Sequence, residues 1–350
     1  MSPRRILFIG LGGAGQRHLR IFRDLLPDAE LLAYRRLGAT PLLNADFSVR
    51  QGDTLEAHYG VTLIRDLDEA FAARPDLAVI STPTSLHRDA MFAAIGAGAG
   101  VVVEKPWAES TARFSEFESA VRHSRLPFWI GFQRRHHPYI RRIRDLIAGG
   151  KLGKIINAEF VVGSFVPAWH GYEDWRTLYA VRPELGGGVV LTEIHEIDLC
   201  CWYFGLPQSV YCAGGNYGPE PLAVEDTAQI TCNYESFSAQ ISLCFMEQMA
   251  RRRIEIVGTA GRIVWDAEGN RFVHDDYGSG SRIDEAMPEF SNDAMFQLQA
   301  GAIVSQFESC PVEEQLRAAW ASQVVAECAK ASMVRGAVVG MPAYPQSVTV

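Results

Sequence analysis

Residues 5–10 read Arg-Ile-Leu-Phe-Ile-Gly, an apolar run of strand length that ends on glycine. A run of this kind predicts a strand buried on both faces. Over about 16–26 the apolar positions recur at helical spacing. A second strand follows at about 30–34, then a loop, a short helix, and a strand at Val61-Thr62-Leu63 leading to Asp66. A helix begins at Asp68, and 77–82 is a buried strand ending at Pro83. Another helix spans about 86–96, and Val101-Val102-Val103 is a strand ending at Glu104-Lys105-Pro106. A helix near 110–123 and the strand Phe128-Trp129-Ile130-Gly131 complete the series. Strands alternating with helices predict an α/β fold whose doubly wound parallel sheet is covered on both faces.

Beyond about 150 the rhythm changes. Segments 155–162, 210–213, 228–234, 239–244, 253–257 and 262–265 alternate apolar with polar, and few helices separate them. That pattern predicts an open, mostly antiparallel sheet. A helix over about 191–204 interrupts it, and a last helical region spans about 293–334, broken near Cys310-Pro311. There is no internal repeat and no long linker.

The first strand runs into Gly10-Leu11-Gly12-Gly13-Ala14-Gly15, a G-x-G-x-x-G that opens a helix. In that setting the first glycine permits the tight turn, the second lets backbone approach a pyrophosphate, and the third lets helix and strand pack closely. The helix N-terminus favours the anion. Residues 1–130 therefore read as a Rossmann dinucleotide-binding domain. Residues 131–350 read as a substrate-binding and oligomerisation α/β domain whose last helical segment packs back on the first. NAD sites usually carry an acid at the tip of the second strand. Here the tip is Tyr34-Arg35-Arg36, and Glu30 lies at the wrong end. Two arginines suit a 2′-phosphate and can stack on adenine, so NADP(H) is the expected cofactor, with NAD as the alternative. The plainer reading of Arg35 and Arg36 is solvated loop charge.

Composition narrows the classes. A chain of 350 residues, 48% hydrophobic and 21% charged, is long enough to bury a substantial core. Its net charge of −8 argues against nucleic acid as a partner. The clusters Arg134-Arg135, Arg141-Arg142 and Arg251-Arg252-Arg253 read as surface charge or ion pairs. No apolar stretch reaches the ~18 residues of a span, so no membrane partner is expected. The basic-then-apolar start at 3–9 breaks into the glycine turn and does not read as a leader. All seven cysteines lie between Cys200 and Cys328 without a C-x-x-C pair, which points to reduced core thiols and a cytoplasmic chain. His195-Glu196-Ile197-Asp198 lacks H-E-x-x-H spacing, so no metal is expected.

Further segments follow in order. They are Ser81-Thr82-Pro83-Thr84-Ser85-Leu86-His87, Val103-Glu104-Lys105-Pro106, Gly131-Phe132-Gln133-Arg134-Arg135-His136-His137-Pro138, and Glu184-Leu185-Gly186-Gly187-Gly188 with the His195 block seven residues on. Together they resemble the Gfo/Idh/MocA family of glucose–fructose oxidoreductase and inositol dehydrogenase relatives, over essentially the whole chain. The stretch 167–176 resembles a branch associated with bacterial surface-sugar biosynthesis. The resemblance implies hydride transfer at a sugar or polyol carbon, and a dimer or tetramer formed through the open sheet. It implies that Lys105 binds the reacting oxygen, that His195 acts as acid/base, and that Pro106 fixes the turn beside the nicotinamide. By the same resemblance Ser81, Thr82, Pro83, His87, Glu104, Lys105 and Pro106 join Gly10, Gly12, Gly13, Ala14, Gly15, Tyr34, Arg35 and Arg36 around the cofactor. Many members carry an aspartate four residues before the histidine. Here that position is Leu191, with Glu193 and Glu196 nearby.

The chemistry is consistent with those positions. Moving a hydride to or from a secondary alcohol requires a partner for the hydroxyl proton. Lys105 sits at the C-terminal end of a parallel strand, where ligands bind such sheets. His195 and Asp198 are three apart on one helix face, which would let Asp198 orient the imidazole. Trp169, Tyr172, Trp175, Arg176 and Tyr179 form an aromatic set with one cation, suited to a sugar ring or an anionic group. Arg134, Trp169, Tyr172, Trp175, Arg176 and Glu193 are the expected substrate contacts. An NAD(P)-dependent sugar, polyol or nucleotide-sugar oxidoreductase is the leading reading. The alternatives are a lyase or hydrolase that oxidises transiently, an imine reductase, and a dinucleotide-sensing regulator without catalysis.

Overall fold

The computed structural model describes residues 2–35 and 40–345. Its first half is built from β1 (Arg5–Ile9), α1 (Gly13–Leu25), β2 (Glu30–Tyr34), α2 (Leu55–Tyr59), β3 (Thr62–Ile64), α3 (Leu67–Ala72), β4 (Leu77–Ile80), α4 (His87–Gly96), β5 (Gly100–Glu104), α5 (Phe114–Ser124) and β6 (Phe128–Gly131). These strands form a sheet in the order β3-β2-β1-β4-β5-β6, every pair parallel. Ile6, Leu7, Phe8, Val79 and Val103 are wholly buried, which is why their strands read as unbroken apolar runs. The order reverses between β1 and β4. In open α/β sheets the crevice beyond the strand ends at that switch is where ligands bind, and the glycine turn and Ser81 flank it.

The chain continues through α6 (Pro138–Ala148), β7 (Ile155–Phe165), α7 (Val189–Thr192), α8 (His195–Phe204), β8 (Ser209–Gly215), β9 (Thr227–Asn233), β10 (Ser238–Cys244), β11 (Met246–Gly258), β12 (Gly261–Asp266), β13 (Arg271–Asp276) and β14 (Arg282–Ala286). It closes with α9 (Asn292–Ser305), α10 (Val312–Arg335) and the short β15 (Val339–Gly340). The second sheet runs β14-β13-β12-β11-β7-β10-β9-β8-β15. Its pairs are antiparallel except β7 with β10, which is parallel. The helix expected over 191–204 is two, α7 and α8, parted at Glu193-Ile194.

The inner face of this sheet carries Phe160, Ile230, Ile241, Ile254 and Ile263, all buried. The outer face is more polar than an uncovered apolar sheet would be. Gln229 bonds Ser242 at 2.8 Å and Thr231 bonds Gln240 at 3.0 Å across the strands, and Glu255 takes Arg262 at 2.6 Å. The period-two alternation seen in the sequence is the record of this one-sided burial.

The two sheets share helices. Phe296, Ala300 and Ile303 of α9 pack into one cluster with Ile6 and Phe8 of β1 and Leu19 and Phe22 of α1. Leu316, Ala319 and Val325 of α10 join a cluster that holds both Ile130 of β6 and Val210 of β8. All seven cysteines are free thiols. No helix among the described residues is long and apolar enough to cross a membrane.

Candidate active site

Gly10 has φ of +95°, and a Cβ there would lie 2.9 Å from the backbone of Ser81 and Thr82. A Cβ on Gly15 would lie 2.1 Å from the Gly10 carbonyl oxygen, so only glycine lets α1 start this close to β1. Gly12, the residue before α1, has no atom within 4 Å of the Cβ direction. The backbone is therefore open to an approaching group at that point, next to the unpaired amides of the first helical turn. Ala14 is half-buried in that turn. Ser81 Oγ closes the opposite side by donating to Gly10 O at 3.0 Å.

At the end of β2 the acid is absent, as the sequence indicates. The Arg35 guanidinium donates to the Thr40 carbonyl at 2.6 Å, bracing the loop behind it. Burial lowers its pKa, with Glu56 opposing. Tyr34 is half-buried, and Arg36 lies outside the described residues.

His87 joins the two turns that follow β4 and β5. Its Nδ1 lies 2.8 Å from Pro106 O and its Nε2 2.8 Å from Thr82 O. It is buried, and it braces the backbone on which Pro83 and Lys105 sit. Pro106 follows a cis peptide bond. The Glu104 carboxylate turns inward to His18 of α1 at 2.8 Å. Burial would raise its pKa, but His18 and Lys105 outweigh that and hold it below the usual carboxylate value.

Lys105 is part-exposed and crosses to the second half of the chain, where its Nζ donates to Thr192 O at 2.8 Å. Burial draws its pKa down, but the neighbouring Tyr179, Glu104 and Glu193 more than offset this and keep it above the ordinary lysine value. Lys105 is thus an ammonium at neutral pH. Tyr179, grouped by sequence only with the aromatic set, is its neighbour.

His195 is the first residue of α8 and is buried. Its Nε2 lies 3.4 Å from Gln133 Nε2, and its Nδ1 has no partner. Burial, reinforced by Lys105 and Arg134, holds its pKa well below the usual histidine value. The expectation for Asp198 is corrected here. Its carboxylate is taken by Arg135, Nη2 to Oδ1 at 2.7 Å and Nε to Oδ2 at 2.9 Å, in a buried two-point pair. Asp198 lies three residues after His195 on α8, but a guanidinium fork outcompetes an imidazole for a carboxylate.

Leu191 is buried among apolar neighbours. The nearby acids are engaged by Arg252, whose cluster the sequence reads as surface charge or ion pairs. Its Nη2 lies 2.6 Å from Glu193 Oε2, and its Nε lies 2.9 Å from Glu196 Oε1 in a charge contact off hydrogen-bond alignment. Burial raises both carboxyls, Glu196 to about 8, while Arg134 and Lys105 pull against it. Arg134 is part-exposed and acts on His195, Glu193 and Glu196. Its Nε is buried without a partner.

The aromatic set does not assemble around one ligand position. Trp169 packs edge-on against Phe245 at 5.4 Å. Trp175 lies under Arg176 at 4.7 Å, and Arg176 reaches Glu220 at 3.2 Å on the surface. Tyr172 stacks on His170 at 5.0 Å and sets its hydroxyl against Gly13, where a Cβ would meet it at 3.1 Å. Phe47 covers the same glycine. Tyr172, expected at the substrate, therefore lies over the glycine turn. Among the described residues no group of three or more His, Cys, Asp and Glu side chains could hold a metal. A small cleft bounded by Trp129, Phe132, Arg135, Gln299 and Gln315 contains neither Lys105 nor His195.

Comparison with known proteins agrees with this layout. Residues 4–132 match the family model described as an oxidoreductase family with an NAD-binding Rossmann fold, and 140–264 match the GFO/IDH/MocA C-terminal domain. A 1,5-anhydro-D-fructose reductase of Ensifer adhaerens is 27% identical over 237 residues, covering 66% of this chain and 70% of that protein. An inositol 2-dehydrogenase of Rubrobacter xylanophilus is 25% identical, covering 61% of this chain but only 56% of its own length. The WlbA dehydrogenase from Bordetella pertussis, solved with NADH and UDP-GlcNAcA, superposes with a TM-score of 0.78 at 20% identity, covering 97% of this chain and 99% of that one. A levoglucosan dehydrogenase solved with NADH and levoglucosan reaches 0.82 at 15% identity over the same shares.

Proposed function

Since the chain belongs to the GFO/IDH/MocA oxidoreductase family, we propose that it moves a hydride between a nicotinamide dinucleotide and a carbon of a sugar, polyol or nucleotide-linked sugar. The observation that carries this reading is Lys105, an ammonium at the end of β5, anchored 2.8 Å from Thr192 O with Tyr179 and His195 around it.

The residues present fit a dinucleotide. Gly12 leaves its backbone open, and Thr82 Oγ1 is buried without a partner at the switch crevice. Gly10, Gly12 and Gly15 with the first amides of α1 would hold the diphosphate, and Arg35 would stand at the adenosine end. When bound, the nicotinamide accepts or supplies the hydride. Lys105 holds the reacting oxygen and stabilises negative charge that develops on it. In reduction, Lys105 Nζ gives its proton to that oxygen. In oxidation, Nζ must first be unprotonated, so oxidation speeds up as pH rises toward the elevated lysine pKa. His195 stays neutral and orients the substrate. Glu193 places carboxylate charge near Lys105, a contribution that Leu191 cannot make.

The acid-free tip of β2 and Arg35 support NADP(H) as the preferred form. A homodimer or homotetramer through the outward sheet face rests on the family resemblance, since that face is polar, and the free thiols suit a reducing cytoplasm. The test is a fluorescence titration with NADPH and NADH, with Arg35→Ala alongside, followed by an absorbance screen of sugars and polyols. Tighter NADPH binding that is lost in the variant supports the assignment. Equal or better NADH binding removes the arginine argument and leaves the oxidoreductase. Binding of neither overturns the whole reading.

A further inference from the structure

The cations of this site are unevenly partnered. Lys105, Arg134 and Arg252 are cations, while the carboxyls beside them are Glu193 and Glu196. Arg252 takes both of those acids at 2.6 and 2.9 Å. Burial raises the pKa of both acids, Glu196 to about 8. Glu193 and Glu196, both engaged by Arg252, and Glu104 beside Lys105 are the acids that face these three cations. Asp198, the remaining buried acid on α8, is committed to Arg135. Glu104 is committed to His18.

Arg134 is the cation left over. It follows β6 in the turn that also presents Gln133 to His195, so it shares the rim of the site with Lys105. Its Nε is shut away from water and bonded to nothing, and no carboxylate among the described residues forms an ion pair with it. A guanidinium in that state is costly unless a ligand completes it. Both Lys105 and Arg134 keep partial exposure, so a ligand entering from solvent can reach them together. The oxidised nicotinamide would add one more positive charge.

We propose that Arg134 is a specificity-determining residue and that the substrate it selects is a sugar or polyol carrying an oxyanion, which the Arg134 guanidinium fork receives while Lys105 holds the reacting oxygen. The fork suits the two oxygens of a carboxylate, and phosphate presents the same chemistry. An oxyanion there also relieves the positive field that Lys105 and Arg134 impose on His195. The inference rests on the oxidoreductase reading given above for the role of Lys105, but not for the binding it asserts.

The experiment uses matched pairs that differ in the anionic group. These are D-glucuronate with D-glucose, D-gluconate with D-sorbitol, and glucose 6-phosphate with glucose. Binding is followed by intrinsic tryptophan fluorescence on the protein alone and by NADPH or NADH fluorescence on the binary complex. Turnover is followed by absorbance. The expected result is that at least one acid binds tenfold or more tighter than its neutral partner. Arg134→Gln should weaken that acid by about 10- to 100-fold, raising KM more than it lowers kcat, with a loss on neutral sugars at least about fivefold smaller. Arg134→Lys should recover part of the loss. A carboxylate preference and a phosphate preference separate in the two arms. The inference is overturned if neutral members bind as well as acids, or if Arg134→Gln lowers both alike. Neutral sugars turned over without acid preference would leave the oxidoreductase reading standing. Absence of dinucleotide binding would remove that reading, while the protein-alone titration would still decide this one.

Discussion

Lys105 Nζ donates to Thr192 O at 2.8 Å, joining the end of β5 to the end of α7 across 87 residues of chain. The bond fixes where the ammonium stands before any substrate arrives, which is the condition for electrostatic stabilisation without reorganisation. Lys105→Met keeps most of the bulk and removes the charge. It should lower kcat/KM by about 10²- to 10⁴-fold with dinucleotide affinity changed less than threefold. Steady-state kinetics and a fluorescence titration check this, and a variant retaining a tenth of the activity would contradict the role.

The Arg135–Asp198 pair supports the fold, and removing one partner leaves a buried charge. Asp198→Ala should cost about 3–5 kcal/mol in urea unfolding. If Asp198 instead acted on His195, Asp198→Asn would change the pH profile of kcat while leaving stability near wild type, and that pattern is not expected.

Two glycines of one turn should behave oppositely. Gly15→Ala drives a methyl to 2.1 Å from Gly10 O, so it should destabilise by about 1–3 kcal/mol or more. Gly12→Ala meets nothing within 4 Å, so unfolding should shift by less than about 2 °C while dinucleotide affinity drops at least tenfold. Thermal melts paired with NADH or NADPH titrations separate the two effects.

Stability should fall on both sides of neutrality, for different reasons. His136 and His137 have pKa values lowered to about 4, burial first, then Arg141 for His136 and Arg134 for His137. The unfolded chain takes up protons first as pH drops from about 6.5 to about 4, so stability declines over that window, by on the order of 1–3 kcal/mol for each histidine. Glu196 behaves oppositely. Its folded pKa of about 8 exceeds the ordinary value, so the unfolded chain loses its proton first as pH climbs, and stability falls between about 4.5 and 8. Glu196→Gln should therefore raise the melting temperature more at pH 8 than at pH 5. Equal shifts at both pH values would contradict the assignment.

The parts of this molecule legible in sequence are those set by local chemistry. Unbroken apolar strands and a glycine turn require no distant partner to be recognised, so the parallel sheet and the Gly10–Gly15 turn are legible directly, whereas Lys105 and His195 stand out only through the family resemblance. Strands β13 and β14 could not. Arg271–Asp276 and Arg282–Ala286 are rich in charge and pair at the sheet edge through Arg271–Asp284 and Arg282–Asp275, so no apolar alternation marks them. The β7–β10 parallel pairing depends on chain routing. The partners of Asp198 and Glu193 come from 63 and 59 residues away, and several carboxylates competed for few guanidinium groups. Its neighbours in sequence group Tyr172 with the substrate set, and only the fold brings its hydroxyl over Gly13.

Helix α9 supplies Phe296, Ala300 and Ile303 to the cluster that surrounds β1 and α1. The ribosome makes β1 first and α9 nearly three hundred residues later. Until then one flank of the nucleotide-binding half has only water, or a chaperone, to cover it. A gene fragment ending after β6 would freeze that intermediate, exposing Ile6, Phe8 and Phe22 neighbours that the full chain hides. Anyone seeking a minimal dinucleotide-binding piece of this protein should keep 290–335 and excise from the middle.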